Sequence, residues 1–182
     1  MKRCLVVVDY QVDFVSGTLG FPEAVSLEDA IEAKIEAYRG QGDAVLFTFD
    51  THETDYLETQ EGTYLPIPHC IRGTAGHGLY GRIADLVQDG DLCFDKPTFG
   101  SGALYAHLLE TPYASIEFVG VVSNICVISN AVLAKTAQPE TPILLDASCT
   151  AGGDPTLHDA ALAVMQSLQI QITNGKPGSL SL

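Results

Sequence analysis

Several apolar runs in this sequence are followed, within four residues, by side chains that can take part in a chemical reaction. These side chains are Asp9, Asp50, His52, Lys96 and Cys126. A carboxylate or an imidazole can carry a proton, a lysine can stabilise negative charge, and a thiolate can attack a carbonyl carbon. An acid, a base and a thiol brought to one place are the parts of a site with a cysteine nucleophile.

Each of these residue types, taken alone, also has an ordinary structural explanation. A carboxylate after a strand often caps a turn or a helix. A lysine is usually a solvated charge, and a cysteine in an apolar segment is usually a small buried side chain. The hypothesis of a reactive site therefore depends on whether the fold brings these residues together.

Cys126 lies four residues after the apolar run 116–122, which places it in the first turn of the next predicted helix. A helix N-terminus and a nearby cation, here Lys96, are expected to lower the pKa of the thiol. The N–H groups of that turn have no partner within the helix and can stabilise a developing oxyanion. We expect Asp9 to take the thiol proton and to pass it to a leaving amine.

The elements that must position these residues alternate between strand and helix. The predicted strands are 4–8, 44–49, 91–95, 116–122, 143–145 and 170–172. The predicted helices are 28–38, 79–87, 101–110, 123–137 and 154–168. This alternation predicts a three-layer α/β/α fold around a mostly parallel, Rossmann-like central sheet of about six strands. Ligand sites in such sheets lie beyond the carboxyl ends of the strands, where the reactive side chains fall.

Residues 1–182 are predicted to form a single domain, with a long functional loop at about 50–80. The length of the chain is that of one globular domain. The loop is rich in Gly, Pro, Thr and His. Loops longer than about 12–15 residues inside a compact domain are usually functional or disordered. The aromatic and histidine content of this loop favours a function.

The composition excludes several classes of partner. A net charge of −14, from 9 Lys+Arg and 23 Asp+Glu, argues against nucleic acid and anionic membrane because the protein's field repels phosphates. The first apolar run stops at Asp9, too early for a signal peptide, and nothing approaches the roughly 18 apolar residues of a membrane span. Five cysteines without a CxxC pair do not suggest a disulfide framework. We therefore expect a cytoplasmic protein.

Five motifs in this chain resemble those of the isochorismatase-like cysteine hydrolases, and especially their nicotinamidase branch. In order, they are VVVDYQVDF, DTH, PHCIRGTAG, FDKPTFG and GVVSNICV. The resemblance runs from about residue 5 to about residue 170. It implies a catalytic triad of Asp9, Lys96 and Cys126. It also implies hydrolysis of a small primary amide, foremost nicotinamide, to an acid and ammonia through a thioester.

The same resemblance implies roles for residues around the triad. It implies a cis peptide bond between Val121 and Val122, and an oxyanion hole formed by the N–H groups of Val122 and Cys126. The residues that match the substrate pocket, or that are candidates for it, are Phe14, Leu19, Leu65, Phe99 and Tyr105.

The resemblance also implies a site for a divalent metal ion, which is Zn, Fe or Mn in such enzymes, and no organic cofactor. The implied ligands are Asp50, His52 and His69, with Glu61 as a further ligand and Glu58 as the alternative to it. One carboxylate and two imidazoles with open positions suit such an ion. In the other interpretation, Asp50 caps a turn and both histidines are ordinary polar loop residues.

Departures from the family's usual pattern leave the substrate open. Leu65 precedes Pro66 where nicotinamidases commonly carry an aromatic residue, and Pro97 follows Lys96 where many have glycine. The segment 123–127 reads SNICV rather than the family's more usual TDxCV. One alternative is a related hydrolase that acts on another small amide or carbamoyl compound. Another is a catalytically silent small-molecule binding protein. The resemblance also implies a homo-oligomer.

Overall fold

The computed structural model describes residues 1–175, and the strands of this part form a single sheet. The strands are β1 (Cys4–Val8), β2 (Ala44–Asp50), β3 (Leu92–Lys96), β4 (Ile116–Val121), β5 (Ile143–Ala151) and β6 (Gln171–Thr173). Their order across the sheet is β3-β2-β1-β4-β5-β6, and each neighbouring pair is parallel. The prediction of a mostly parallel sheet of about six strands is confirmed.

Helices cover both faces of this sheet. The α-helices of the described residues are α1 (Val12–Val15), α2 (Pro22–Val25), α3 (Glu28–Gly40), α4 (Gln60–Tyr64), α5 (Gly81–Asp85), α6 (Gly102–Glu110), α7 (Ile128–Ala137) and α8 (Pro155–Ser167). Helices α1, α2, α3 and α5 contribute to the core on one face, and α6, α7 and α8 to the core on the other. The three-layer α/β/α architecture is therefore confirmed. Among residues 1–175, no helix has the length and apolar character needed to cross a bilayer.

The continuous apolar run of β1 explains its place in the middle of the sheet. All five of its residues are fully buried. Leu5 and Val7 pack into the core on the α3 face, while Val6 and Val8 pack into the core on the α7 face. A strand buried on both faces needs apolar side chains in both directions, which is why its sequence does not alternate.

The register of the strands brings their carboxyl ends to one edge. Val8 lies opposite Thr48 of β2 and Gly120 of β4, and Asp50 lies opposite Lys96. The chain builds the sheet outward from β1 in both directions, so the strand order reverses between β1 and β4. A crevice at such a reversal is the usual ligand site of an open parallel sheet.

The structure differs from the predicted elements in three respects. Strand β5 continues through residues 146–151, whose polar side chains resemble those of a loop, and its pairing with β4 shifts register after Phe118. The predicted helix 123–137 begins with a wider, π-type turn over Ser123–Val127 before α7 starts. The predicted elements do not include the short helices α1, α2 and α4, because each spans too few residues to show a helical period.

Candidate active site

Asp9 lies just beyond the carboxyl end of β1, and its side chain is fully buried. Its φ is +46°, in the left-handed region that few residues other than glycine, asparagine and aspartate adopt. Two contacts with Thr48 of β2 hold this conformation. The Asp9 N–H donates to the Thr48 carbonyl at 3.2 Å, and Thr48 Oγ1 donates to Asp9 Oδ1 at 2.7 Å. The second carboxylate oxygen is left to face Lys96.

Lys96 ends β3, and its ammonium group is buried among three side chains. Its Nζ lies 2.7 Å from Asp9 Oδ2 and 3.0 Å from Asp50 Oδ1. The same atom lies 3.6 Å from Cys126 Sγ and donates to the Thr98 carbonyl at 3.0 Å. The ammonium nitrogen of Lys96 therefore contacts both the predicted acid, Asp9, and the predicted nucleophile, Cys126.

Cys126 sits in the turn that follows β4 and is almost completely buried. Gly120 precedes this turn with φ +106°, and a Cβ there would overlap the backbone of Val8, so only glycine fits. The peptide bond between Val121 and Val122 is cis. The carbonyl of Val122 then accepts the N–H groups of Ile125 and Val127 at 3.0 and 3.2 Å. These bonds close the turn that carries the thiol.

Burial is the largest single influence on the pKa values of Cys126, Asp9 and Lys96. It raises the pKa of the Cys126 thiol well above its ordinary value, and the Asp9 carboxylate adds to this effect while Lys96 opposes it. Burial likewise raises the pKa of Asp9 against the opposing charge of Lys96. Burial disfavours the charge of Lys96, but Asp9, Cys126 and Asp50 together raise its pKa.

This balance corrects the expectation of a thiol with a lowered pKa. Lys96 does favour the thiolate, but desolvation in the closed site is the larger effect. Burial therefore favours the protonated thiol, and it also raises the pKa of the neighbouring Asp9 carboxyl.

Four side chains from β2 and the following loop form a second cluster beside Lys96. This metal-type cluster consists of Asp50, His52, Glu61 and His69, whose possible ligand atoms all lie within 4.8 Å of one another. Asp50 Oδ2 is 3.0 Å from His52 Nε2 and 3.3 Å from His69 Nε2. Glu61 Oε1 is 3.8 Å from both of these nitrogens. His69 Nδ1 donates to the Ile67 carbonyl at 2.8 Å, which leaves Nε2 facing the cluster.

This donor set fits a divalent transition-metal ion. Two imidazole nitrogens and two carboxylates converge, and one histidine is oriented by a backbone carbonyl in the way metal-ligating histidines usually are. Burial favours a neutral Asp50, but hydrogen bonds from His52 and His69 and the charge of Lys96 lower its pKa strongly. Burial raises the pKa of Glu61, and the nearby Asp50 raises it further. A cation between them would relieve this repulsion.

A small cavity of about 220 Å³ opens between the two clusters. It is lined by Phe14, Leu19, Phe21, Asp50, Glu61, Leu65, His69, Phe99, Val122, Ile125, Cys126 and Gly153. The wall is thus mostly apolar, with the thiol and the metal-type ligands on its polar side. A ligand in this cavity would contact the thiol and the metal-type cluster at the same time.

The structure places most of the sequence-predicted residues around this cavity. Of the five pocket residues, Phe14, Leu19, Leu65 and Phe99 line it, but Tyr105 does not. Helix α6 turns its Leu104 and Leu108 into the core, so the side chain of Tyr105 leaves the helix in another direction. Glu58 is exposed and outside the metal-type cluster, whereas Glu61 belongs to it.

Gln11, which the sequence reasoning left without a role, fixes the backbone of Asp50. Its Oε1 accepts the Asp50 N–H at 2.8 Å, and its Nε2 donates to the carbonyls of Asp50 and His77 at 2.9 and 2.8 Å. Asp13, two residues on, accepts the N–H of Cys70 at 2.8 Å and so anchors the loop after His69. Both belong to the motif VVVDYQVDF, which was the available signal.

Three further residues near the thiol or the cavity were not predicted from the sequence. Asn130 of α7 is fully buried and donates to the Cys126 carbonyl at 2.8 Å and to the Phe99 carbonyl at 3.2 Å. Phe21 and Ile125 line the cavity. Ile125 directly precedes Cys126, and that adjacency could have predicted it. Phe21 follows a glycine in a loop, where no sequence pattern distinguishes it.

The sequence of this chain matches a known protein family. A sequence model described as "Isochorismatase domain" matches residues 3–176. This chain belongs to the isochorismatase family. It is 31% identical over 144 residues to the uncharacterized isochorismatase family protein PncA of Bacillus subtilis strain 168, a match that covers 72% of this chain and 78% of that protein.

Solved structures of this family share the fold. The crystal structure of the nicotinamidase/pyrazinamidase PncA from Bacillus subtilis is 30% identical with a TM-score of 0.84, covering 96% of this chain and 100% of that one. A pyrazinamidase of Pyrococcus horikoshii, solved in complex with zinc, is 24% identical with a TM-score of 0.83 and covers 96% of this chain and 100% of that one. At that identity, the second likeness is one of fold.

Proposed function

We propose that this protein hydrolyses a small, neutral primary amide to an acid and ammonia, with nicotinamide as its substrate. The observation that carries the proposal is the contact of Lys96 Nζ with both Asp9 and Cys126, at 2.7 and 3.6 Å, on the edge of an apolar cavity. The similarity to a nicotinamidase/pyrazinamidase at 30% identity over nearly the whole chain supports the same activity.

The reaction begins when Cys126 Sγ attacks the amide carbonyl carbon and Asp9 takes the thiol proton. Lys96 keeps the two acidic groups oriented and favours the thiolate as it forms. The N–H groups of Val122 and Cys126 stabilise the oxyanion. Asp9 returns the proton to the leaving nitrogen, so ammonia departs and a thioester remains. Water, deprotonated by Asp9, then attacks the thioester, and the acid leaves as Cys126 regains its proton.

In this proposal, Asp50, His52, Glu61 and His69 hold a divalent ion of the Zn, Fe or Mn type. When bound, such an ion would supply positive charge at the polar side of the cavity, toward a ring nitrogen of the substrate and water. The chain's own contribution is to fix the ligands. Gln11 holds the backbone of Asp50, and the Ile67 carbonyl sets the ring orientation of His69.

The charges around the cavity select for a neutral substrate. Its lining contains Asp50 and Glu61 and, among the described residues, no lysine or arginine. Lys96 is buried behind this lining and is engaged by two carboxylates. A divalent ion held there offsets the charges of Asp50 and Glu61, as Lys96 offsets that of Asp9, so a substrate that carries its own carboxylate would meet no excess positive charge. This disfavours acidic carbamoyl compounds.

The aromatic content of the wall favours a ring over an aliphatic chain. Phe14, Phe21 and Phe99 line the cavity, and aromatic pairs gain about 0.5–1.5 kcal/mol beyond simple area burial. Leu65 favours a second candidate function, because nicotinamidases commonly carry an aromatic residue at the position of this aliphatic side chain. That candidate is a hydrolase of the same mechanism acting on a small, neutral, nonaromatic amide.

A substrate panel tests the proposal. Ammonia release from nicotinamide, from an aliphatic primary amide and from an N-carbamoyl amino acid should be compared on protein whose metal content has been measured. We expect kcat/KM for nicotinamide to exceed that for the other two at least tenfold. Preference for the aliphatic amide would select the second candidate, and preference for the carbamoyl acid would contradict the charge argument.

A further inference from the structure

The turn that carries Cys126 packs against helix α8, and one contact between them lies near the start of that helix. Ser123 opens this turn and is fully buried. Its Oγ lies 2.9 Å from Nδ1 of the half-buried His158, the fourth residue of α8. In the sequence, Ser123 is part of the departure SNICV, and His158 has no function that the motifs assign.

Two further contacts make this a close-fitting interface. Gly152 lies directly beneath the turn, and a Cβ there would stand 2.8 Å from Asn124 Oδ1 and 3.0 Å from Ser123 Oγ. Thr150 Oγ1 donates to the Gly120 carbonyl at 2.7 Å, just before the turn begins. The end of β5 and the start of α8 therefore leave the turn little room to shift.

His158 is itself rigidly mounted. Asp154 caps α8, and its side chain accepts the N–H groups of Thr156 and Leu157 at 2.7 and 3.3 Å. Pro155 occupies the first turn, where its fixed φ suits a helix start. The His158 N–H then donates to the Asp154 carbonyl at 2.9 Å. The imidazole thus extends from a capped helix end to the turn.

We propose that His158 is a positioning residue that acts through Ser123 to hold the turn carrying Cys126 and the Val122 N–H. This inference rests on the amide hydrolysis proposed above. Attack on a carbonyl requires the sulfur and the oxyanion donors to keep their separation to within about 0.5 Å. Loss of the hydrogen bond should reduce the rate of the chemical step and leave substrate binding largely intact.

A double-mutant cycle measures this coupling. We expect S123A and H158A each to lower kcat about five- to tenfold, the effect of one hydrogen bond, with KM changed less than twofold. The double variant should be no slower than the slower single variant, because both remove the same contact. H158N, which keeps a polar atom near the position of Nδ1, should restore kcat to within threefold of the parent.

The chain offers a matched control. His107 of α6 makes the same kind of contact, 2.9 Å from Nε2 to the hydroxyl of Tyr113, and is also half-buried. Tyr113 lies before the amino end of β4, at the opposite edge of the sheet from the candidate site. H107A and Y113F should therefore leave kcat within twofold of the parent.

Hydrogen exchange of the turn gives a readout that needs no substrate. In S123A and H158A, we expect faster exchange of the Ile125 and Val127 amides, which donate to the Val122 carbonyl, and no such change in H107A. Faster exchange in a protein that does not release ammonia from nicotinamide would support the positioning and contradict the proposed substrate. Unchanged exchange, additive losses in the double variant, or H158N as slow as H158A would each overturn the inference.

Discussion

At the scale of single residues, Lys96 links the two halves of the site. Its Nζ contacts Asp9 and Cys126 on one side and Asp50 of the metal-type cluster on the other. Burial alone would favour the neutral forms of all these groups. One ammonium group between them offsets that cost for the two carboxylates and favours the thiolate when the proton leaves Cys126.

This arrangement predicts the effect of K96A on the thiol. Burial and Asp9 already raise the pKa of Cys126, and Lys96 opposes them, so its removal should raise the pKa further. We expect iodoacetamide to alkylate Cys126 at least tenfold more slowly at pH 8, which corresponds to a rise of one unit in the pKa of the thiol. Peptide mass spectrometry separates Cys126 from the exposed Cys93, whose rate serves as the internal control. An unchanged ratio of the two rates would contradict the role of Lys96.

At the scale of elements, the strand register explains why part of the site could be predicted from sequence. In a parallel sheet, residues just beyond the carboxyl ends share an edge, and the apolar runs before Asp9, Asp50 and Lys96 mark those ends. Asp50 and Lys96 are direct cross-strand partners. Cys126 follows β4 by one short turn, so its place was fixed almost as closely.

The loop between β2 and α5 could not be derived in the same way. Its course depends on contacts distant in sequence, such as those of Gln11 with Asp50 and His77 and of Asp13 with Cys70. No period or spacing encodes such contacts. The same limit explains Tyr105, whose aromatic type suggested the pocket while the orientation of α6 directs it elsewhere.

The two glutamates of this loop give a paired test of the metal site. E61Q should weaken binding of Zn²⁺ at least tenfold, because it removes a charged ligand from a cluster of four. E58Q is the matched control, since Glu58 is exposed and outside the cluster. Calorimetric titration of apoprotein with Zn²⁺ measures both variants. Equal affinities for E61Q and the parent would remove Glu61 from the ligand set.

At the scale of the whole molecule, a second charged cluster joins a helix to the sheet. Lys34 of α3 lies 2.6 Å from Asp146 on β5 and 2.9 Å from Glu117 on β4. Tyr38 of the same helix donates to Glu117 at 2.6 Å. The Asp146 carboxylate also accepts hydrogen bonds from the side chains of Ser148 and Asn174. These contacts attach α3 across two strands, away from the candidate site.

This cluster predicts a pH-dependent stability. Burial favours a neutral Asp146, but Lys34, Ser148 and Asn174 lower its pKa below the ordinary value. A lowered pKa stabilises the fold above the unfolded value of about 3.9, and the contribution is lost as pH falls through the folded value. We expect D146N to lower the free energy of unfolding by about 2 kcal/mol at pH 7.

Urea denaturation at several pH values measures this effect. The difference between D146N and the parent should be constant near neutrality and shrink below about pH 4. D29N is the control, because Asp29 pairs with Arg82 on the exposed surface of α3 and such pairs contribute less than about 1 kcal/mol. A difference for D146N that persists unchanged into acid would contradict the ionic origin of the effect.

The net charge of the chain bears on the proposed reaction. It is −14, a total that already includes Asp50 and Glu61 of the cavity wall. A neutral amide is not repelled by the net negative field of the chain, whereas the acid that forms is an anion and is repelled by it. The substrate and the product of the proposed reaction therefore differ in charge in the direction that favours product release.

The central claim, that Cys126 is the nucleophile of an amide hydrolase, is tested most directly by trapping its acyl intermediate. Native protein turning over nicotinamide is quenched in acid, and its peptides are analysed by mass spectrometry. We predict a nicotinoyl thioester on the Cys126 peptide. In C126A we predict no adduct, more than a thousandfold less ammonia and an unfolding temperature close to that of the parent. Release of ammonia by C126A at the parent rate would contradict the account.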